Sequence, residues 1–300
     1  MNMIATPPEM ISQGHGLLEA PVFDQDHGLL YTDAEIGGVW QFDALRTPKL
    51  LVPHRRGIGG MAIHASGGVI VSGRNVAYKR FIDEAPDEPT IVLLENDPAN
   101  GHQGYNDLVT DHCGRLYVGS LAFVPMLGQL ESTEAGSLYL IDLNGEIKEV
   151  AQGIRLSNGL GFSPDGTQLY HSDSIAHSVY VYDVAPDGAL AGRRNFVTPA
   201  EGMPDGLAVA QDGSVWVALV HAGLVVAYDA RGKEICRIRL STPMVTSVCF
   251  GDADYKSLYI VSGAQGAPEA LGGCIYRIRT NVPGLARPLA RVALQSVPHK

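Results

Sequence analysis

Four short phrases in the chain set an oxygen donor where chemistry could use it: Leu18-Glu19-Ala20-Pro21, Tyr105-Asn106-Asp107-Leu108, Leu156-Ser157-Asn158-Gly159-Leu160 and Met203-Pro204-Asp205-Gly206-Leu207. Carboxylates combined with neutral amide oxygens are hard donors, which suit calcium, magnesium or manganese better than metals that prefer thiolates. Asn-Gly and Asp-Gly are also ordinary turn pairs that adopt positive φ and cap hairpins with no ligand present. Position favours a site, because each phrase stands directly ahead of a run with strand character. If those strands line one axis, four polar tips meet in one funnel, which is more than turns require.

The elements that would hold these phrases repeat. Six times the sequence writes a turn rich in Asp and Gly, a short β-type run, a polar or glycine break and a second β-type run: Asp24 to Tyr31, Ala65 to Ile70, Asp111 to Tyr117, Ser163 to Tyr170, Gln211 to Trp216 and Asp252 to Tyr259. Successive copies lie roughly 40 to 50 residues apart, the period of a propeller blade. In four copies a later strand ends alike, in Val39-Trp-Gln-Phe-Asp43, Leu138-Tyr-Leu-Ile-Asp142, Val179-Tyr-Val-Tyr-Asp183 and Val225-Val-Ala-Tyr-Asp229. Apolar residues there sit at alternate and sometimes consecutive positions, as in strands covered on both faces. Helical periodicity with caps is nearly absent, and a sandwich would not repeat a four-strand phrase. The pattern predicts an all-β, six-bladed β-propeller as one domain over residues 1–300, with residues 1–13 as an N-terminal arm. Two irregular stretches, Glu84 to Gly104 and Phe123 to Glu134, are expected as long loops at one mouth.

Bulk properties narrow the function classes. The chain is 45% hydrophobic and 18% charged with 35 glycines, which suits a large core with many tight turns. A net charge of −10 without a basic block argues against nucleic acid or an anionic membrane as partner. Met1 to Gln13 lack the basic start and apolar centre of a secretory leader, and no apolar run has membrane-spanning length, so a cytoplasmic setting is expected. Cys113, Cys236, Cys249 and Cys274 form no Cys-x-x-Cys pair and read as reduced thiols. No Gly-x-Ser-x-Gly elbow or His-Glu-x-x-His motif is present. His15, His102, His171 and His221 lie near the four phrases; a lone histidine at a strand end more often packs than reacts, and His102, just ahead of Asn106, is the one best placed to meet a substrate.

The order Glu-x-Pro, Asn-Asp, Ser-Asn-Gly-Leu-x-Phe-Ser-Pro-Asp-Gly and Pro-Asp-Gly-Leu-Ala-Val resembles the senescence-marker-protein, regucalcin and gluconolactonase family from Glu19 to about Gly263. The stretch from Leu156 to Asp183, followed by Met203 to Tyr228, is the specific part, because site phrase and following turn recur in register. The resemblance implies one divalent cation held by Glu19, Asn158 and Asp205, calcium first, with zinc, magnesium or manganese as alternatives. It also implies that Asn106 contacts the ion's water or the substrate, and that Asp205 serves as general base. Such a set could open a cyclic ester, with the ion polarising the carbonyl and a carboxylate steering water.

Two positions depart from the pattern. Sugar-lactone members often carry an Arg two residues before the Asn-Asp pair, where this chain has Gly104, and an acid where Gly119-Ser-Leu-Ala122 is followed by Phe123. Losing two partners for sugar hydroxyls points to a less polar lactone or ester than an aldonolactone. Gly104, Phe123, Asn106 and His102 are thus the expected substrate contacts. Two other functions compete: hydrolysis of another electrophile such as an organophosphate, and a calcium-binding propeller module without catalysis.

Overall fold

The computed structural model describes residues 3–43, 47–53, 55–85, 87–125 and 134–295. These form six four-stranded antiparallel sheets arranged as the blades of a β-propeller. The chain begins with β1 (Glu9–His15), and the first blade follows as β2 (Leu18–Asp24), β3 (Gly28–Asp33), β4 (Val39–Gln41) and β5 (Lys49–Val52). Blade two is β6 (Met61–Ile63), β7 (Val69–Val71), β8 (Val76–Lys79) and β9 (Ile91–Leu94). Blade three is β10 (Gly104–Thr110), β11 (Leu116–Leu121), β12 (Gly136–Ile141) and β13 (Ile147–Ile154). Blade four is β14 (Ser157–Phe162), β15 (Gln168–Asp173), β16 (Ser178–Val184) and β17 (Leu190–Val197). Blade five is β18 (Met203–Val209), β19 (Val215–Val220), β20 (Leu224–Tyr228) and β21 (Glu234–Arg239). Blade six joins β22 (Val245–Gly251), β23 (Ser257–Ser262) and β24 (Gly273–Arg279) to β1 at its outer edge.

That last pairing corrects the expectation of an N-terminal arm. Glu9 pairs with Arg277 and Met10 with Tyr276, so much of the segment is an edge strand that closes the ring and covers the backbone of β24. Burial explains the near-continuous apolar runs. Every residue of β19 and β20 is buried, because both faces of a middle strand meet neighbouring blades, whereas β13 and β17 on the rim are largely polar and open. Trp216 is wholly buried, its indole N–H donating to Ser214 Oγ at 3.0 Å and its ring meeting Phe250 edge-on at 5.8 Å. The four cysteines are free thiols.

The six Asp/Gly-rich phrases are the turns from the first to the second strand of each blade, and the four Asp-ended phrases are third strands. The innermost strands β2, β6, β10, β14, β18 and β22 contact one another in a closed circle around the axis. Each starts at the mouth that carries the four phrases and ends at the far side. There the segment after Pro283 crosses the axis. Leu285 N donates to Val209 O at 3.0 Å in blade five, Ala290 N to Ile63 O at 2.8 Å in blade two, and Arg291 N to Gly114 O at 2.8 Å in blade three.

The loop expectation is corrected in part. Ile91–Leu94 is the outer strand of blade two, and Glu84 lies at the far side, its Oε1 3.6 Å from Nε2 of His27 in the turn after β2. Only the portion after β9, with a 3₁₀ turn at Pro98–Asn100, and the connection that starts at Phe123 belong to the mouth. Most of the latter, residues 126–133, lies outside the described residues.

Candidate functional site

The four phrases lie inside the innermost strands rather than ahead of them, each at a register shift. The irregularities fall between Glu19 and Val22, Tyr105 and Leu108, Ser157 and Leu160, and Pro204 and Leu207. A bulge sets two residues against one on the partner strand and re-aims side chains. This breaks the strict alternation of a strand, so that residues near the strand start can turn to the axis. Gly159 makes the close approach possible: a Cβ there would stand 2.5 Å from both Asp205 O and Leu207 N.

Matching carboxylates brace the approach to two of the phrases. Asp33 at the end of β3 accepts from Gly16 N at 3.0 Å, three residues before Glu19, and Asp173 at the end of β15 accepts from Arg155 N at 2.9 Å and Leu156 N at 3.0 Å, just before Asn158. In blade six Thr246 Oγ1 donates to Leu18 O at 2.6 Å.

Hydrogen bonding fixes which end of the Asn158 amide faces the axis. Ser174 Oγ donates its one proton to Pro204 O at 2.6 Å, so it can only accept from Asn158, whose Nδ2 lies 2.7 Å away. The opposite end, Oδ1, therefore points to Asn106, whose Nδ2 donates to it at 2.5 Å and to Ser157 O at 2.8 Å. Both protons of the Asn106 amide are used, and its Oδ1 keeps acceptor capacity. That oxygen sits against Gly59, where a Cβ would be only 1.9 Å away. Behind this pair, Ser157 Oγ bonds His171 Nε2 at 2.9 Å. Burial pushes His171 down to about 3, so it is a neutral support and no proton carrier near pH 7.

Asp205 is buried and Glu19 is partly open to the mouth. Desolvation holds Glu19 well above the ordinary carboxylate range, reinforced by the charges of Asp205 and Asp107. Asp205 is raised by burial and by Asp107, against the pull of its hydrogen bond from Gly206 N. Asp107 is pushed up to about 6, by desolvation first, while Arg287 and the Leu108 N–H work the other way. Asp107, in the same phrase as Asn106, is a further buried carboxylate that residue type alone does not single out. Its signal was its place beside Asn106, since a bulge lets consecutive residues share the axis. Ser174 carried no signal, because it acts across two blades.

Such mutually raised, desolvated carboxylates are a setting that a cation relieves. Carboxylate and amide oxygens such as those of Glu19, Asp205 and Asn158 are hard donors of the kind calcium or magnesium takes. Among the described residues no cluster of three or more His, Cys, Asp or Glu side chains is placed to hold a metal ion by itself.

The other residues singled out near the four phrases have surroundings of their own, and Gly104 pairs with Leu121, two residues before Phe123. His102 Nε2 lies 3.2 Å from the Tyr139 hydroxyl, with the rings edge-on at 5.6 Å. His15 bonds Ser12 Oγ at 2.8 Å, and His221 is exposed in a turn with φ of 67°. Phe123 is buried, and Gly104 is buried where its Cβ would meet Gly73 O at 2.9 Å.

Comparison with known proteins gives a family and a fold. The family described as SMP-30/Gluconolactonase/LRE-like region matches residues 17–264. A 6-deoxy-6-sulfogluconolactonase of Pseudomonas putida is 31% identical over 290 residues, covering 93% of this chain and 97% of that protein. A pentonolactonase of Haloferax volcanii is 30% identical, covering 84% of each chain, and bovine regucalcin is 28% identical over 83% of each. Among solved structures, a luciferin-regenerating enzyme superposes with a TM-score of 0.84 at 21% identity, covering 95% of this chain and 99% of that one. A calcium-binding protein, regucalcin, from Agrobacterium tumefaciens superposes with a TM-score of 0.82 at 19% identity, covering 97% and 100%. By sequence over most of its length and by fold, the chain belongs to the SMP-30/gluconolactonase/LRE-like family.

Proposed function

We propose that this protein is a metal-dependent hydrolase that opens lactones, with Glu19, Asn158 and Asp205 holding one divalent cation, calcium first among the candidates. The observation that carries the reading is a pair of desolvated carboxylates, Asp205 buried and Glu19 partly open to the mouth, with an oriented amide oxygen on the neighbouring blade, in a chain whose relatives include named lactonases. A cation held by Glu19, Asn158 and Asp205 would supply polarisation of the lactone carbonyl and offset charge developing on its oxygen. Asp205 takes a proton from water as the water oxygen bonds to the carbonyl carbon. The ring C–O bond then breaks and the proton passes to the departing ring oxygen, giving a hydroxy acid with one water consumed. Asn106 Oδ1 accepts a hydrogen bond from the water or from a substrate hydroxyl. Assay of a lactone panel with single metals restored after chelation tests the reading; full turnover in stripped protein, or phosphotriester turnover without lactone turnover, refutes it.

Ser174 is proposed as a positioning residue for both Asn158 and Asp205. Ser174→Ala is expected to weaken calcium binding about tenfold or more, with Ser174→Thr recovering part of the loss. Calcium titration by calorimetry checks this, and an unchanged Kd in the alanine variant would remove Ser174 from the site.

The preferred lactone is less polar than gluconolactone. Phe123 is buried and Gly104 offers no side chain, so neither supplies a charged partner to a polyol. An apolar or aromatic lactone should show a kcat/KM about one to two powers of ten above gluconolactone. Preference for gluconolactone over every apolar lactone would overturn this. The wild-type ratio is the cleaner measurement, because a side chain at Gly104 collides with the Gly73 carbonyl before it reaches a substrate.

A further inference from the structure

A cavity among the described residues lies at the far side of the propeller, away from Glu19, Asn158 and Asp205. It has a volume of about 450 Å³, within the size range of small-molecule sites. The segment that crosses the axis forms part of its wall, and a second cavity of about 290 Å³ lies beside it. Arg287 lines both. The walls are mainly apolar, with Phe23, Phe162, Phe250 and Leu285 supplying ring-sized surfaces and His112 a further polar group.

Arg287 makes no hydrogen bond or salt bridge among the described residues, although most other guanidinium groups of the chain do. It pulls down the Asp107 carboxyl, deeper along the axis, against desolvation, and has the same lesser effect on the Cys249 thiol, which burial keeps protonated. A guanidinium at the wall of a partly enclosed apolar cavity lacks the planar acceptor that its fork fits bidentately. Asp165 on the rim has its carboxylate engaged by Ser163 and by Thr167, and it adds a negative charge that disfavours a dianion. We infer that this far-side cavity is a second ligand site, for a small monocarboxylate with an apolar, ring-sized body whose carboxylate pairs with Arg287.

The inference stands apart from the reaction proposed at the mouth, and its test reads binding alone. Phenylacetate titrated into the calcium-loaded wild-type protein should bind with a Kd of about 0.1 to 1 mM. Its neutral analogue phenylacetamide should bind about tenfold more weakly, and Arg287→Gln should lose about the same factor for the acid. A carboxylate captured by the cation at the mouth would instead be indifferent to Arg287. Equal affinity in wild type and Arg287→Gln, equal affinity for acid and amide, or no binding at about 10 mM would each overturn the inference. Should Arg287→Gln fail to fold, the comparison of acid with amide is made on chelated wild-type protein, where no cation at the mouth can take the carboxylate, and equal affinity there overturns the inference. A parallel arm with 3-(2-hydroxyphenyl)propanoate, the hydroxy acid from dihydrocoumarin, distinguishes a site that takes the lactonase product from one that takes only other acids.

Discussion

Asp205→Asn is expected to cut lactone turnover by roughly a hundred- to ten-thousandfold while the protein stays folded, because the amide keeps the shape of the side chain and loses its basicity. The environment argues for this split. Asp205 is buried on an innermost strand, and its backbone lies against Gly159 of the next blade, so an isosteric exchange leaves the packing in place. Removing one of several desolvated negative charges also lowers the repulsion on Glu19. The measurement is kcat with saturating metal alongside thermal unfolding. Turnover equal to wild type would take Asp205 out of the chemistry, and a collapse in Tm matching the loss of activity would make the residue structural instead.

The second large effect is on stability and joins pH to metal. Asp107 moves from an ordinary 3.8 up to about 6 on folding, and Glu19 and Asp205 move in the same direction. A carboxylate raised in this way binds its proton more tightly in the folded state. Its stabilising contribution is complete below pH 4 or so and is lost as pH rises through about 6. For Asp107 alone the loss is about 3 kcal/mol, from the size of its shift. His171, held down to about 3 by burial, pulls the other way as pH falls below its ordinary 6.5. The informative comparison is therefore between forms of the protein at one pH. In chelated protein at pH 7.5, Asp107→Asn should melt several degrees above wild type, and the gap should close toward pH 4. Calcium added to wild type should raise Tm strongly at pH 7.5 and little at pH 5, because protons and cation relieve the same charges. A calcium effect as large at pH 5 as at pH 7.5 would refute this account.

Much of the architecture was legible in the chain because a blade is a local object. Its turns need Asp and Gly at fixed places, and its middle strands, such as Val215–Val220, must be apolar on both faces. The phrases around Glu19, Asn158 and Asp205 stood out because each sets an oxygen donor next to a run with strand character, whereas their place inside the strands at register shifts was not legible. Closure of the ring by Glu9–His15 was not legible, because an edge strand with one open face carries a weak apolar pattern and pairs with residues at the other end of the chain. Nor was the placement of Glu84 at the far side, which follows from the direction of each strand in the closed circle. The three-body relation of Ser174, Asn158 and Pro204, the mutual repulsion of Glu19, Asp107 and Asp205, and the approach of Arg287 along the axis all join residues of different blades or segments. Residue types and spacing determine what each strand can offer to the axis. The amide orientations and the proton affinities of the carboxylates exist only once the ring is closed, because both are set by neighbours and by exclusion of water that no single blade provides.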